Sequence, residues 1–118
     1  MLLTIALLVA APQTQTQMTQ SAGTAYARAD AEMTRAWRAT LAYMKGRDAQ
    51  NTTRGGGFGY AAALLESQRA WLKFRDTECV IEGGEFAGGS MQSMTIAGCR
   101  TRLTTARTAQ LRSLMWRG

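Results

Sequence analysis

Apolar side chains recur every three to four positions over three stretches of the chain, and each stretch reads as an amphipathic helix. From Ala22 to Lys45 the row is Tyr26, Met33, Trp37, Leu41 and Met44. From Tyr60 to about Val80 it is Leu64, Gln68, Trp71, Arg75 and Cys79, with Leu65, Leu72 and Phe74 widening the apolar face. From about Met91 to Met115 it is Ile96, Cys99, Leu103, Leu111 and Leu114. The stretch Gly46 to Gly59 is polar, with Gly55, Gly56 and Gly57 in a row. It offers no apolar surface to bury and reads as a loop. Gly83, Gly84, Gly88 and Gly89 are expected to break the chain again, with Ser90 placed to cap the third helix. Short connections favour antiparallel neighbours, so the expected fold is all-α, a small three-helix up-down bundle.

Three charged residues interrupt these inner rows. Asp30 falls one turn after Tyr26, Arg75 lies between Trp71 and Cys79, and Arg107 lies between Leu103 and Leu111. A buried ion is costly unless paired and hydrogen-bonded, which predicts a structural network in which Asp30 meets one or both arginines, in bidentate fashion at best. Gln68 and Trp71 share the inner stripe with Arg75 and belong to the same expected network. The alternative is that the arginines snorkel from the stripe edge into water. Trp37 and Trp71 read as core anchors, and Trp116 as exposed.

Composition narrows the class. At 118 residues, 46% hydrophobic and 19% charged, the chain is sized for a single domain, and one proline among many alanines, leucines, arginines and glutamines favours helix. The apolar run Met1 to Ala11 is shorter than the roughly 20 residues a membrane span needs and matches the core of a signal peptide. Val9 and Ala11 supply small side chains for a cleavage point, although a positive start is missing; the competing reading is an apolar helix packed on the core. Residues 1–17 are therefore expected to be a signal peptide or disordered segment, and residues 18–118 the helical domain. In a secreted or periplasmic protein the isolated pair Cys79 and Cys99 is expected to form a disulfide. A closed loop of about 20 residues contributes roughly 3 kcal/mol through the denatured chain. Two thiolates and no histidine make a poor zinc site, so neither metal nor cofactor is expected. The Asn51, Thr52, Thr53 sequon is short enough to arise by chance.

Charge is distributed unevenly. The formal net charge is +6, and Arg100, Arg102, Arg107, Arg112 and Arg117 occur with no acid from Arg100 to Gly118. The preceding segment, Asp76 to Ser90, carries Asp76, Glu78, Glu82 and Glu85 with no lysine or arginine. Without histidine there can be no Ser/His/Asp or Cys/His set, and closely spaced loop acids are usually a solvated surface, so no catalysis is expected.

The run Gln68, Arg69, Ala70, Trp71, Leu72, Lys73, Phe74, Arg75, Asp76, Thr77, Glu78, Cys79, then Gly88, Gly89, Ser90, Cys99, Arg107 and Leu111, forms a pattern of its own. It resembles the lysozyme inhibitor LprI-like N-terminal domain family of secreted bacterial proteins, over about Gln15 to Leu114. In that family a helix with the pattern Q-x-x-W-x-x-x-R-x-x-x-C leads into a glycine-containing loop, and a second cysteine opens the last helix. Ala29, Asp30, Ala31, Glu32 and Met33 look like the family's first helix. Relatives often carry a further N-terminal cysteine pair, and here Ser21 stands where the second of those cysteines would be, so a looser N-terminal segment is expected. The resemblance implies export, helices, a disulfide and, for the member that names the family, inhibition of lysozyme.

Two partner readings follow. In the first, a monomer presents an acidic loop of Glu82, Gly83, Gly84, Glu85, Gly88, Gly89 and Ser90, held at both ends by the disulfide, as a plug for lysozyme. Glutamates would steer it to a basic enzyme while glycine amides approach the cleft carboxylates, although a body of charge +6 opposes this. In the alternative, the basic third helix binds anionic envelope components, without specific recognition of nucleic acid.

Overall fold

The computed structural model describes residues 2–5, 14–50 and 58–116. Three helices carry the chain: α1 Gln15–Gln50, α2 Tyr60–Gly84 and α3 Gln92–Ser113. No strand occurs among the described residues. Helix α3 packs most extensively on α1 and next on α2, while α1 and α2 touch least. The glycine run 55–57 and the sequon lie outside the described residues.

Helix α1 begins seven residues before the expected start at Ala22, and ahead of the 17/18 domain boundary. The reason is a capping box at Thr14–Gln17: Thr14 N donates to Gln17 Oε1 at 3.0 Å, and Gln17 N donates to Thr14 Oγ1 at 3.1 Å. Two free amides of the first turn are thus satisfied reciprocally, which carries the helix into a polar stretch ahead of the apolar row. Residues 2–5 of the apolar run are not helical, and Leu2, Leu3 and Ile5 are exposed, so this part does not pack on the core.

The core is small and partly polar. Met33, Ala36, Thr40 and Met44 are buried along α1 at three-to-four spacing, and they meet Leu64 of α2 and Leu111 of α3. Trp37, Leu41, Trp71, Leu72 and Leu114 pack around them, half-buried. Thr40, Thr104 and Thr108 are also buried, although hydropathy patterning passes over them. Thr40 Oγ1 donates to the Leu111 carbonyl at 3.0 Å, and Thr108 Oγ1 donates to the Thr104 carbonyl within its own helix. Thr104 Oγ1 accepts from Arg75 Nη1 at 3.4 Å, so each hydroxyl has a partner and short side chains let α1 and α3 approach closely.

Two sequence expectations fail at the α2–α3 junction. Gly83 and Gly84 do not break the chain; α2 runs through both. Gly83 is buried because Ile96 of α3 lies against it, and a Cβ there would fall 2.4 Å from Ile96 Cγ1. Glycine therefore serves close helix approach rather than termination. Ser90 makes no cap: the N-cap of α3 is Met91, without a side-chain capping bond, and the Gln92 side chain instead accepts from Gly88 N at 3.3 Å. Gly88 itself has φ +78°, so the turn proper is there.

At the opposite end of the bundle, Asp48 of α1 caps α2 in place of a local residue. Its carboxylate accepts from the amides of Gly59, Tyr60 and Ala61 at 3.0, 2.9 and 3.0 Å. The amides of Ala61 and Tyr60, in that order, hold the Asp48 carboxyl below the usual aspartate range. Trp116, exposed as expected, stacks edge-on against Tyr60, with Arg47 over its ring.

Candidate functional site

Cys79 and Cys99 are joined in a disulfide with a Cα–Cα separation of 5.5 Å, and both are buried. The bond ties the penultimate turn of α2 to the second turn of α3, so the connection between them emerges from a covalently closed base. Glu82 sits one turn beyond Cys79 on the same face and forms a two-oxygen ion pair with Arg102 at 2.8 and 2.7 Å. One of its oxygens also lies 2.8 Å from Cys99 Sγ. Cys79, Glu82 and Cys99 form a compact ligand-like trio. The sulfurs are bonded to each other, however, and a disulfide supplies no thiolate to a metal.

The charged residues of the inner rows lie together, in a stack the sequence pattern only partly anticipates. Arg75 is 6% exposed and Arg107 is 7% exposed, so neither snorkels fully into water. Arg75 Nη1 lies 3.7 Å from Asp30 Oδ1, a single ionic contact rather than a bidentate pair. Its nearer carboxylate is Asp76, whose Oδ1 accepts from Arg75 Nε at 3.0 Å and also lies 3.6 Å from Arg100 Nε. Asp30 does not reach Arg107. That guanidinium donates instead to Gln68 Oε1 at 3.0 Å, Ser67 Oγ at 3.0 Å and Gln110 Oε1 at 3.3 Å. Both guanidinium groups lie near the Trp71 ring, Arg75 at 5.3 Å and Arg107 at 5.9 Å from its centroid, and Arg75 and Arg100 lie 5.4 and 5.8 Å from the Tyr26 ring. Cation–π contact and hydrogen bonds thus replace a carboxylate for Arg107. Burial lowers the Arg107 pKa from its ordinary value, yet the group remains a cation.

The loop of the plug reading divides in two. Glu82, Gly83 and Gly84 belong to α2, with Glu82 engaged by Arg102 and Gly83 buried. Glu85 to Ser90 are exposed. Their backbone amides are already used: Phe86 N donates to Gly83 O at 3.0 Å, Ala87 N to Gly84 O at 3.1 Å and Gly89 N to Phe86 O at 2.9 Å. With Gly88 N bonded to Gln92, the glycine amides of Gly88 and Gly89 are not free to meet an enzyme carboxylate.

The basic third helix is likewise less basic in space than in sequence. Arg100 faces Asp76, Arg102 faces Glu82, and Arg112 pairs with Glu32, which also pairs with Arg35. Arg35 and then Arg112 hold the Glu32 carboxyl below its usual range. Leu65 and Phe74, expected to widen the inner face of α2, are exposed; Leu65 lines a groove of about 370 Å³ between α1 and α2 with Trp37, Leu72 and Asp30.

The fold and these contacts define a small, disulfide-stapled, three-helix domain with two buried arginines packed near a half-buried tryptophan. The chain belongs to the family described as lysozyme inhibitor LprI, whose model matches residues 9–111. An uncharacterized protein of Rhizobium meliloti (strain 1021) is 40% identical over 91 residues, covering 76% of this chain and 66% of its own length. The chain thus spans just under two thirds of that relative. No solved structure matches. Among the described residues, no helix is long and apolar enough to cross a membrane.

Proposed function

We propose that this protein is an exported, non-enzymatic, monomeric binding protein that inhibits a lysozyme. The observation that carries the reading is the family match over residues 9–111, which takes in the whole stapled region and the arginine stack. The disulfide and the stack support it physically. They hold α2 and α3 rigid near the tip, so a contact surface there loses little conformational entropy on binding. Export fits the disulfide, which persists in oxidising compartments. The exposed tip Glu85 to Ser90 enters as a contact by its side chains and shape rather than through free glycine amides.

Binding of anionic envelope components through α3 draws no comparable support, since Arg100, Arg102 and Arg112 have carboxylate partners and Arg107 is buried. The test is residual lysis of bacterial cell walls by a basic lysozyme mixed with the oxidised chain. Dose-dependent loss of lysis is expected, and undiminished lysis at molar excess overturns the proposal.

A further inference from the structure

Among the eight acidic side chains, six have a clear partner. Asp30 and Asp76 face Arg75, Glu32 pairs with Arg35 and Arg112, Asp48 caps α2, Glu66 lies near Arg69, and Glu82 holds Arg102. Glu78 and Glu85 have no ion pair and no side-chain hydrogen bond among the described residues. They also stand in a specific relation to exposed apolar residues. Phe74, Glu78 and Ile81 are spaced i, i+4 and i+7, which aligns them in one row along α2, and Glu85, the C-cap residue with helical dihedrals, extends the row by four positions. Phe74 is 51% exposed and Ile81 71%. Single exposed apolar residues need no explanation, but a row of them interleaved with uncompensated carboxylates does.

We infer that the Phe74–Glu78–Ile81–Glu85 row, formed by α2 and its C-cap residue, is the docking face for a cationic protein surface, the apolar pair supplying contact area and the two glutamates the charge match. The inference rests on the lysozyme reading and names the face that would serve it. The row lies on α2 on either side of Cys79, in the helix that the disulfide ties to α3. The partner chemistry follows from sign: among the described residues, this row offers the two carboxylates without a cationic partner. A basic partner neutralises both without disturbing an internal pair, whereas an acidic partner meets like charge. Apolar anchors surrounded by complementary charge are the composition of a binding surface, with the anchors governing dissociation and the charges the encounter rate.

The test uses the full oxidised chain, a native basic lysozyme, and the same lysozyme succinylated to reverse its charge. Wild type should bind the native enzyme at least tenfold more tightly than the succinylated one. Phe74→Ser and Ile81→Ser should each weaken binding at least tenfold, and Glu78→Gln with Glu85→Gln should weaken it severalfold and flatten its salt dependence. Leu65→Ser, in the α1–α2 groove, should change it less than twofold; circular dichroism checks that every variant is folded. If the row variants bind and inhibit as wild type does, the docking face is refuted while the inhibitor reading stands. If wild type binds through the row but leaves lysis undiminished, the inhibitor reading fails and the face stands. No binding by wild type refutes both. A wild-type dimer in sedimentation that Ile81→Ser dissociates reassigns the row to self-association and overturns the inference.

Discussion

Replacing Gly83 by alanine tests the close approach of α3 to α2 at this position. The added Cβ would lie 2.4 Å from Ile96 Cγ1, 3.0 Å from Ile96 Cδ1 and 3.6 Å from the Gln92 carbonyl oxygen. Carbon atoms attract optimally at about 3.5–4.0 Å, so the first distance is a hard overlap. Ile96 cannot swing clear cheaply, because a β-branched side chain in a helix has one strongly preferred χ1. Alanine in place of a helical glycine gains roughly 0.5–1 kcal/mol of backbone preference, whereas overpacking costs about 1–3 kcal/mol. The overlap should prevail, for a net loss of about 1–2 kcal/mol and, in a domain of this size, a fall in Tm on the order of 5–10 °C. Gly84 provides the internal control, since nothing lies within 4 Å of a Cβ there and Gly84→Ala should hold or raise Tm. In an Ile96→Ala background, Gly83→Ala should become neutral or stabilising. Thermal and urea unfolding followed by far-UV circular dichroism would read the wild type and all four variants. A Gly83→Ala variant as stable as Gly84→Ala would refute the argument that glycine is there for close approach.

Other consequences are equally direct. Cys79→Ala/Cys99→Ala opens a loop of 20 residues in sequence separation, which should cost about 3 kcal/mol by loop-closure entropy; an unchanged urea midpoint would contradict this. Gln68→Leu leaves Arg107 Nε without the acceptor now at 3.0 Å, a loss of about 1–3 kcal/mol for a buried charged donor. Adding Arg107→Met to that variant should recover part of the loss, and a double variant less stable than Gln68→Leu would count against the hydrogen-bond account. Asp48→Asn should lower Tm at pH 7, because the depressed carboxyl pKa marks an anion stabilised in the folded state. That stabilisation is present above the unfolded pKa and is lost as pH falls through the lower folded one. The Tm gap between wild type and Asp48→Asn should therefore narrow below about pH 4, and a gap that widens on acidification would reverse the assignment.

Much of the architecture was legible locally. Three-to-four spacing located all three helices, because an amphipathic stripe is written in consecutive residues and needs no partner to be seen. The two cysteines specified their own bridge by being alone in the chain, and the Gln68 to Cys79 pattern pointed to the family that the model match over residues 9–111 identifies. The start of α1 was also written locally, in Thr14 and Gln17, but as a polar capping box that hydropathy patterning overlooks.

What only the tertiary structure decided are contacts between residues far apart in sequence. Helix α2 continues through Gly83 because α3 supplies Ile96 at a distance no side chain could share. Arg107 rests on Gln68, Ser67 and Trp71 rather than Asp30, since helix rotation sets which polar groups meet and periodicity leaves that rotation open. The acid-free third helix loses its basic face for the same reason, as Arg100, Arg102 and Arg112 find carboxylates on α1 and α2. A sequence determines which face of each helix prefers to be covered; close approach and charge pairing are properties of two faces at once, and they exist only when the helices have packed.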